Sequence, residues 1–195
     1  MSIKINYISS ASKKNSSNAI FFVDEKINLS SLKKVVSNDE FSYISDLLKT
    51  SDLKKKILFF KINSKKTIYL ISLKKDLKIS ELENLGAKFY ELTNNYKHND
   101  YLINIELTKN KIENLIGYFL HGLKLKSYEF NKYKSKKNKK DISINVIGNK
   151  NKISSKNQLR FRAIEEGTFF ARDLVSEPGN VLHPDEYAKR INSLK

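Results

Sequence analysis

The 195-residue chain contains no cysteine and no tryptophan, and it has only two prolines and six glycines. Without cysteine, disulfide bonds, thiolate zinc sites and catalytic thiols are excluded. The six glycines do not cluster, so the sequence lacks a glycine-rich loop that could cradle a phosphate. Long apolar runs are also missing, and the first thirty residues lack the pattern of a secretory signal. We therefore expect a cytoplasmic protein with no membrane-spanning segment.

Basic residues outnumber acidic residues by 37 to 21, which gives a formal net charge of +16. Such a surplus is typical of proteins that bind nucleic acids or anionic membranes. However, 33 of the basic residues are Lys, and the chain also holds 21 Asn and 21 Ile, all residue types with A/T-rich codons. Because base readout and bidentate phosphate binding favour Arg over Lys, we favour codon bias as the source of the charge.

Six short segments have the apolar, β-branched and aromatic composition of strands. They are residues 4–9, 19–23, 57–62, 67–72, 101–107 and 142–147. The four residues between the third and fourth segments suit a hairpin. The continuous apolar segments predict strands covered on both faces, and the alternating segments predict edge strands.

Amphipathic helical patterns separate these segments. Apolar residues recur at three- and four-residue steps in residues 39–49, 80–92 and 111–123. Ser80, followed three residues later by Glu83, predicts a capping box at the start of the second helix. Helices that alternate with strands, together with a hairpin, predict an α/β fold with a mixed sheet of about six strands flanked by helices.

The C-terminal third has a different composition. Residues 132–140 hold six Lys in nine positions and predict an exposed loop, either a solvated connection, which we favour, or a polyanion contact. Residues 149–157 predict a polar linker, and residues 158–175 then predict one long helix with Gly167 inside it. All four Arg lie beyond residue 159, which suggests positions where a planar, forked cation matters. Residues 184–194 predict a final helix that begins at a proline.

No catalytic constellation is recognisable from the residues alone. His98, His121 and His183 lack the spacing of a metal site. We interpret His98 as a solvated loop residue and His121 as a surface residue on the polar edge of a helix. The composition and the motifs therefore predict an α/β domain with a helical tail and without catalytic, cofactor-binding or metal-binding residues.

Two segments resemble the leucyl aminopeptidase family of two-metal exopeptidases. Residues 121–137 (HGLKLKSYEFNKYKSKK) match the family pattern G-x-x-L-x-x-Y-x-F-x-x-Y-K-S-K-K, and residues 167–188 contain a close match to A-R-D-L-V-N-E-P-x-N-x-L-x-P. Two matches in the same order as in the family are more specific than either alone. The matching positions to which we assign structural roles are Gly122, Tyr128, Phe130, Tyr133, Lys134, Lys136, Arg172, Asp173, Glu177, Pro178, Asn180 and Pro184.

The resemblance implies a macro-domain-like N-terminal α/β domain over residues 1–150 and a linker with a connecting helix over residues 151–175. Residues 176–195 would be the truncated start of the metallopeptidase catalytic domain. In the family, that domain binds two divalent metal ions, Mn or Zn, and the enzymes assemble as hexamers. The ligand-bearing segments of that domain are not in this sequence, so the resemblance implies a fragment that is inactive alone and acts in oligomerisation and access control.

Three interpretations follow. The first is the N-terminal portion of a metalloaminopeptidase, which would meet peptide substrates through the missing catalytic domain and form a homo-hexamer when full length. The alternative is a basic nucleic-acid-binding accessory module that uses the lysines of residues 54–56 and 132–140. A salt titration separates the two, because phosphate binding weakens steeply with salt. The third is a freestanding α/β domain, which an exposed apolar stripe on the 158–175 helix would make prone to aggregation.

Overall fold

The computed structural model describes residues 2–8, 18–93, 99–105, 112–135, 141–148 and 153–194. The strands in these residues are β1 (Ser2–Ile8), β2 (Asn18–Asp24), β3 (Ile57–Lys61), β4 (Thr67–Leu73), β5 (Asp100–Asn104) and β6 (Asp141–Ile147). The helices are α1 (Asn38–Thr50), α2 (Ile79–Thr93), α3 (Leu115–Lys126), α4 (Ser155–Ser176) and α5 (Pro184–Asn192), with a short 3₁₀ helix at Leu29–Lys34. Within the described ranges, no helix is long and apolar enough to cross a membrane.

The strands form one mixed sheet in the order β1-β6-β5-β2-β4-β3. Neighbouring strands are parallel except for β3 and β4, which are antiparallel. The hairpin predicted between them is confirmed, and the side-chain oxygen of Asn63 closes it by accepting hydrogen bonds from the backbone N–H groups of Lys65 and Lys66, both at 2.8 Å. The predicted fold class, an α/β fold with a six-stranded mixed sheet followed by a long helix, is confirmed.

Helices cover the sheet on both sides and divide the apolar core into two layers. Alternate residues of a strand point to opposite faces, so Ile20 and Phe22 of β2 lie in the larger layer with the apolar residues of α2 and α3. Phe21 and Val23 lie in the smaller layer with those of α1 and the 3₁₀ helix. This two-sided cover explains why β2 reads as a continuous apolar run, as predicted for a strand covered on both faces.

The edges of the sheet follow the prediction only in part. The alternating strand β1 is an edge, as predicted, but the alternating strand β6 lies inside the sheet. The nearly continuous strand β3 is the other edge, and its Phe59 side chain is 41% exposed. The reason is that alternation reports how well one face of a strand is covered, whereas an edge is defined by a missing neighbour in the hydrogen-bonding direction.

The structure corrects the prediction for the start of α2. The capping box predicted at Ser80 and Glu83 is wrong, because α2 begins one residue earlier and Ser80 lies inside it. The Glu81 carboxylate instead accepts a hydrogen bond from the backbone N–H of Lys78, at 3.0 Å. A complete capping box stands at the start of α1, where Ser37 Oγ accepts from the Glu40 N–H and the Glu40 carboxylate accepts from the Ser37 N–H, both at 3.2 Å.

Replacing the capping serine by alanine (Ser37→Ala) should lower the free energy of unfolding by about 1 kcal/mol, because the Glu40 N–H at the first turn of α1 loses its acceptor. The matched control is Ser42→Ala, at an exposed position inside the same helix, where alanine should be neutral or slightly stabilising. Urea unfolding of both variants checks this prediction. Equal effects of the two substitutions would show that the cap contributes nothing.

Candidate functional site

Helix α4 packs on α3 through an aromatic contact. The Phe161 ring packs directly on Gly117, where a methyl group would lie 3.0 Å from its Cζ atom. Its centroid is 5.1 Å from that of Tyr118 in an edge-to-face arrangement and 5.4 Å from that of His121. The glycine therefore leaves a notch on α3 that the phenylalanine of α4 fills.

Polar contacts fix the N-terminal and middle turns of α4. Asn157 donates a hydrogen bond to the side-chain oxygen of Asn114 at 2.9 Å. In the middle of α4, the buried Glu165 carboxylate pairs with Lys124 Nζ of α3 at 2.8 Å. The Glu165 charge also acts on Tyr7 of β1, whose pKa is raised to about 12 by burial and, to a smaller extent, by that charge. The Glu165–Lys124 pair therefore joins α4 to α3 near the edge strand β1.

The C-terminal turns of α4 contact the segment that follows α3, where the two family-like stretches meet. Arg172 Nη1 donates to the backbone oxygen of Leu125 at 2.5 Å, and its guanidinium carbon lies 5.5 Å from the centre of the Tyr128 ring. The Tyr128 hydroxyl donates to Asp173 Oδ1 at 2.7 Å, and its ring packs on Phe169. A planar cation can hydrogen-bond and stack at once, as we expected for the positions where this Lys-rich chain uses Arg.

The Glu177 carboxylate is the second point where the two stretches meet. Its side chain is only 1% exposed, and its Oε1 atom lies 2.5 Å from Lys132 Nζ and 2.9 Å from Arg190 Nη1. The Tyr133 hydroxyl donates to the other carboxylate oxygen. Hydrogen bonds from Lys132, Tyr133 and Arg190 lower the pKa of Glu177 from 4.5 to about 2. We call this set of contacts the joint. It consists of Arg172 with Leu125 and Tyr128, of Asp173 with Tyr128, and of Glu177 with Lys132, Tyr133 and Arg190.

The lowered pKa of Glu177 predicts a loss of stability in acid. Between pH values near 4.5 and near 2, the unfolded chain binds a proton at this position that the folded chain does not, so the free energy of unfolding should fall as the pH falls. Glu177→Gln should remove this part of the pH dependence, as measured by denaturant unfolding at several pH values between 2 and 5.

The matched control for this prediction is Glu166→Gln, because Glu166 is an exposed carboxylate on α4, 2.7 Å from Arg162. The control leaves the contacts of Glu177 in place, so the part of the pH dependence that Glu177 contributes should remain. If Glu177→Gln and wild type follow parallel curves between pH 2 and 5, the Glu177 charge has no favourable contacts in the folded protein.

An open pocket of about 490 Å³ lies at the joint. Phe130, Phe170 and Leu174 supply its apolar lining, and Lys132 and Arg190 are among its charged residues. Both cations are already paired with Glu177. In the part of the chain that the structure describes, no three His, Asp or Glu side chains converge as metal ligands would. The joint is thus equipped to hold helices together.

The other family-motif positions have simpler surroundings. Lys134, Pro178 and Asn180 are exposed, and Pro184 occupies the first turn of α5. Gly122 lies where α2 and α3 approach most closely, against the backbone of Glu83. Lys136 and most of the Lys-rich run lie outside the described residues.

The expectation for His121 is wrong: this residue is buried rather than on the surface. Its Nδ1 atom lies 2.9 Å from Glu83 Oε1, since the close approach of α2 and α3 at Gly122 brings the two side chains together. The ring of Phe161 then covers the imidazole. The burial of His121 could have been predicted from the neighbouring Gly122, because a glycine inside a helical pattern often marks a close backbone approach. His98 lies outside the described residues, and His183 precedes α5 without capping it through its side chain.

Solved leucine aminopeptidases share this fold across nearly the whole chain. A mutant of the tomato leucine aminopeptidase superposes with a TM-score of 0.70 at 16% identity, covering 98% of this chain and 42% of that one. The bottromycin maturation enzyme BotP, solved in complex with Mn, gives a TM-score of 0.62 at 14% identity and covers 92% of this chain and 36% of its own. The cytosol aminopeptidase from Coxiella burnetii also gives 0.62, at 13% identity, with coverages of 96% and 36%. The fold is therefore that of the N-terminal domain of leucine aminopeptidases.

Sequence comparison points to the same proteins over part of the chain. The probable cytosol aminopeptidase of Methylorubrum extorquens is 40% identical over 82 residues, and that of Clostridium perfringens is 39% identical over 90 residues. These matches span 40% and 43% of this chain but only 16% and 18% of the two relatives, while no family model matches. The resemblance to leucyl aminopeptidases is thereby confirmed, and the chain spans less than half the length of these proteins.

Proposed function

We propose that this chain forms the N-terminal α/β domain and the connecting helix of a leucyl-type metalloaminopeptidase, which releases N-terminal amino acids from peptides in the cytoplasm. The observation that carries the proposal is the joint. The first family-like stretch contacts the second through Tyr128 with Asp173 and through Tyr133 with Glu177. A pattern whose members contact each other across two elements supports a role in holding those elements together. The names of the curated relatives support the cytoplasmic location.

The proposed contribution of the domain is to assembly and access rather than to chemistry. In this proposal, two divalent metal ions, Mn or Zn, are bound by residues of a catalytic domain that this sequence does not contain. The Mn complex of BotP supports metal use among proteins of similar fold. The described residues themselves do not fit such ions, because no group of three potential ligands converges among them.

The exposed face of α4 supports an assembly with further parts. We divide the chain into the domain (1–150), the linker and helix (151–175) and the start of a catalytic domain (176–195), and α4 ends at Ser176. Away from the aromatic contact with α3, α4 exposes Ile164 at 43% and Val175 at 87%. These two residues are about three turns apart on the same side of the helix. Apolar patches of this kind are typical of surfaces that a partner covers. We propose that the catalytic domain and neighbouring subunits of a homo-hexamer cover this face.

The test compares two samples. The protein purified from its source cells should release leucine from a leucine anilide, should lose this activity with a chelator and should regain it with Mn. The 195-residue chain expressed alone should show no activity under the same conditions. A source protein without peptidase activity, or an isolated chain with metal-dependent activity, would contradict the proposal. If the source protein instead binds DNA with an affinity that falls linearly with salt on logarithmic axes, the nucleic-acid alternative replaces it.

A further inference from the structure

We infer that Glu177 is a positioning residue that sets the direction of the chain after α4 by holding α5 against the segment of Lys132 and Tyr133. The inference concerns contacts inside this chain and does not depend on the proposed function. Its basis is the position of one covered carboxylate at the point where three elements meet.

The backbone places Glu177 at the end of α4. Its N–H still donates to the carbonyl oxygen of Asp173 at 3.1 Å, but its own ψ of 138° is extended and ends the helix. Pro178 follows and cannot continue the helical hydrogen bonds. A tight turn then leads toward α5, with the N–H of Val181 donating to the carbonyl oxygen of Pro178 at 2.9 Å. The carboxylate of Glu177 thus projects from the bend between α4 and α5.

Helix α5 has little else to hold it. None of its nine residues, all of which the structure describes, is buried. Its Arg190 donates through Nη1 to Glu177 and through Nε to Glu186, which is one turn earlier on α5 itself. Of these two bonds, the one to Glu186 stays within α5, and the one to Glu177 links α5 to the rest of the molecule.

The charge balance at Glu177 explains why the carboxylate is needed. Lys132 and Arg190 share its Oε1 atom, so the two cations lie close to each other with one negative charge between them. A neutral side chain would leave two like charges facing each other, which is unfavourable. The hydrogen bonds to the carboxylate hold its pKa well below the usual range, so Glu177 is ionised at neutral pH and pairs with both cations there.

The chain contains no cysteine, so two introduced cysteines carry spin labels at unique positions. One labelled pair joins Lys88 on α2 to Ala188 on α5, and a second pair joins Lys88 to Ala163 on α4; all three positions are exposed. In Glu177→Gln, the distance distribution of the first pair should widen at least about twofold, because a helix without buried contacts moves freely once released. The second pair should keep its wild-type distribution, and Glu166→Gln should change neither.

Two results would overturn the inference. An unchanged first pair would show that Glu177 does not position α5, and widening of both pairs would show that it only stabilises α4 or the domain as a whole. Arg190→Gln removes the same link from the other side and should reproduce the effect of Glu177→Gln on the first pair alone. If Glu177→Gln does not fold, the Arg190→Gln measurement decides: an unchanged first pair there also overturns the inference.

Discussion

Replacing Gly122 by alanine should destabilise the domain by about 3 kcal/mol, because overpacking at a contact between two backbones cannot be relieved by a side-chain rotation. A methyl group on Gly122 would overlap the carbonyl group of Glu83 on α2, whose carbon atom would be only 2.5 Å away. The reciprocal contact exists at Gly86 of α2, where a methyl group would overlap the carbonyl oxygen of Phe119 and lie 2.9 Å from the backbone nitrogen of Leu123. Relief would require α2 and α3 to separate over the larger core layer.

The matched control is Gly167→Ala, because Gly167 is exposed on α4 and a methyl group there meets nothing within 4 Å. Alanine at this helix position should stabilise the protein by about 0.5–1 kcal/mol. Guanidinium unfolding of both variants measures the difference, and the two substitutions should change stability in opposite directions. Similar small effects at both positions would show that α2 and α3 do not approach as closely as described.

Truncating Phe89 to alanine should cost about 3–5 kcal/mol, the range for removing a buried aromatic side chain. Phe89 lies on α2, is fully buried and contacts the rings of Tyr69, Tyr101 and Phe119 at centroid distances of 5.1, 5.4 and 5.8 Å. Its removal therefore leaves a cavity bordered by β4, β5 and α3 at once. Since small domains are stable by only about 5–15 kcal/mol, the variant should be close to unfolding at 37 °C.

The control for this truncation is Phe59→Ala on the edge strand β3. Phe59 is 41% exposed, so its removal leaves no enclosed cavity and should cost about 1 kcal/mol. Thermal and urea unfolding of the two variants should rank them clearly. Equal losses would place the centre of the core away from Phe89.

The positions of the elements could be predicted from the sequence because the signals that define strands and helices are local. All six predicted strands are present, and the long helix with Gly167 inside it runs from Ser155 to Ser176. The helix predicted over residues 111–123 begins only at Leu115, because Asn114 before it has a left-handed conformation with φ of 55°. Two Ser-x-x-Glu patterns occur, and the one at Ser37, rather than the one at Ser80, forms the capping box. Only the point where the backbone enters each helix decides between them.

The contacts of the candidate site could not be predicted from the residues alone, since they join positions far apart in the sequence. Tyr128 and Asp173 are 45 residues apart, and His121 and Glu83 are 38 apart. No periodic pattern links such pairs. From the resemblance to leucyl aminopeptidases we assigned structural roles to Tyr128, Tyr133, Asp173 and Glu177. The structure adds that Tyr128 contacts Asp173 and that Tyr133 contacts Glu177. Polarity placed His121 on the surface, whereas packing between α2, α3 and α4 buries it.

We proposed that this chain is the N-terminal portion of a leucyl-type aminopeptidase, in which the joint fixes α4 and α5 to the α/β domain. The intact mass of the protein isolated from its source cells, identified by peptides from residues 122–133 and 167–188, tests this claim most directly. We expect a mass well above 22.6 kDa, because this chain covers only 42% of the tomato enzyme. A mature protein of 22.6 kDa that copurifies with no larger partner would contradict it.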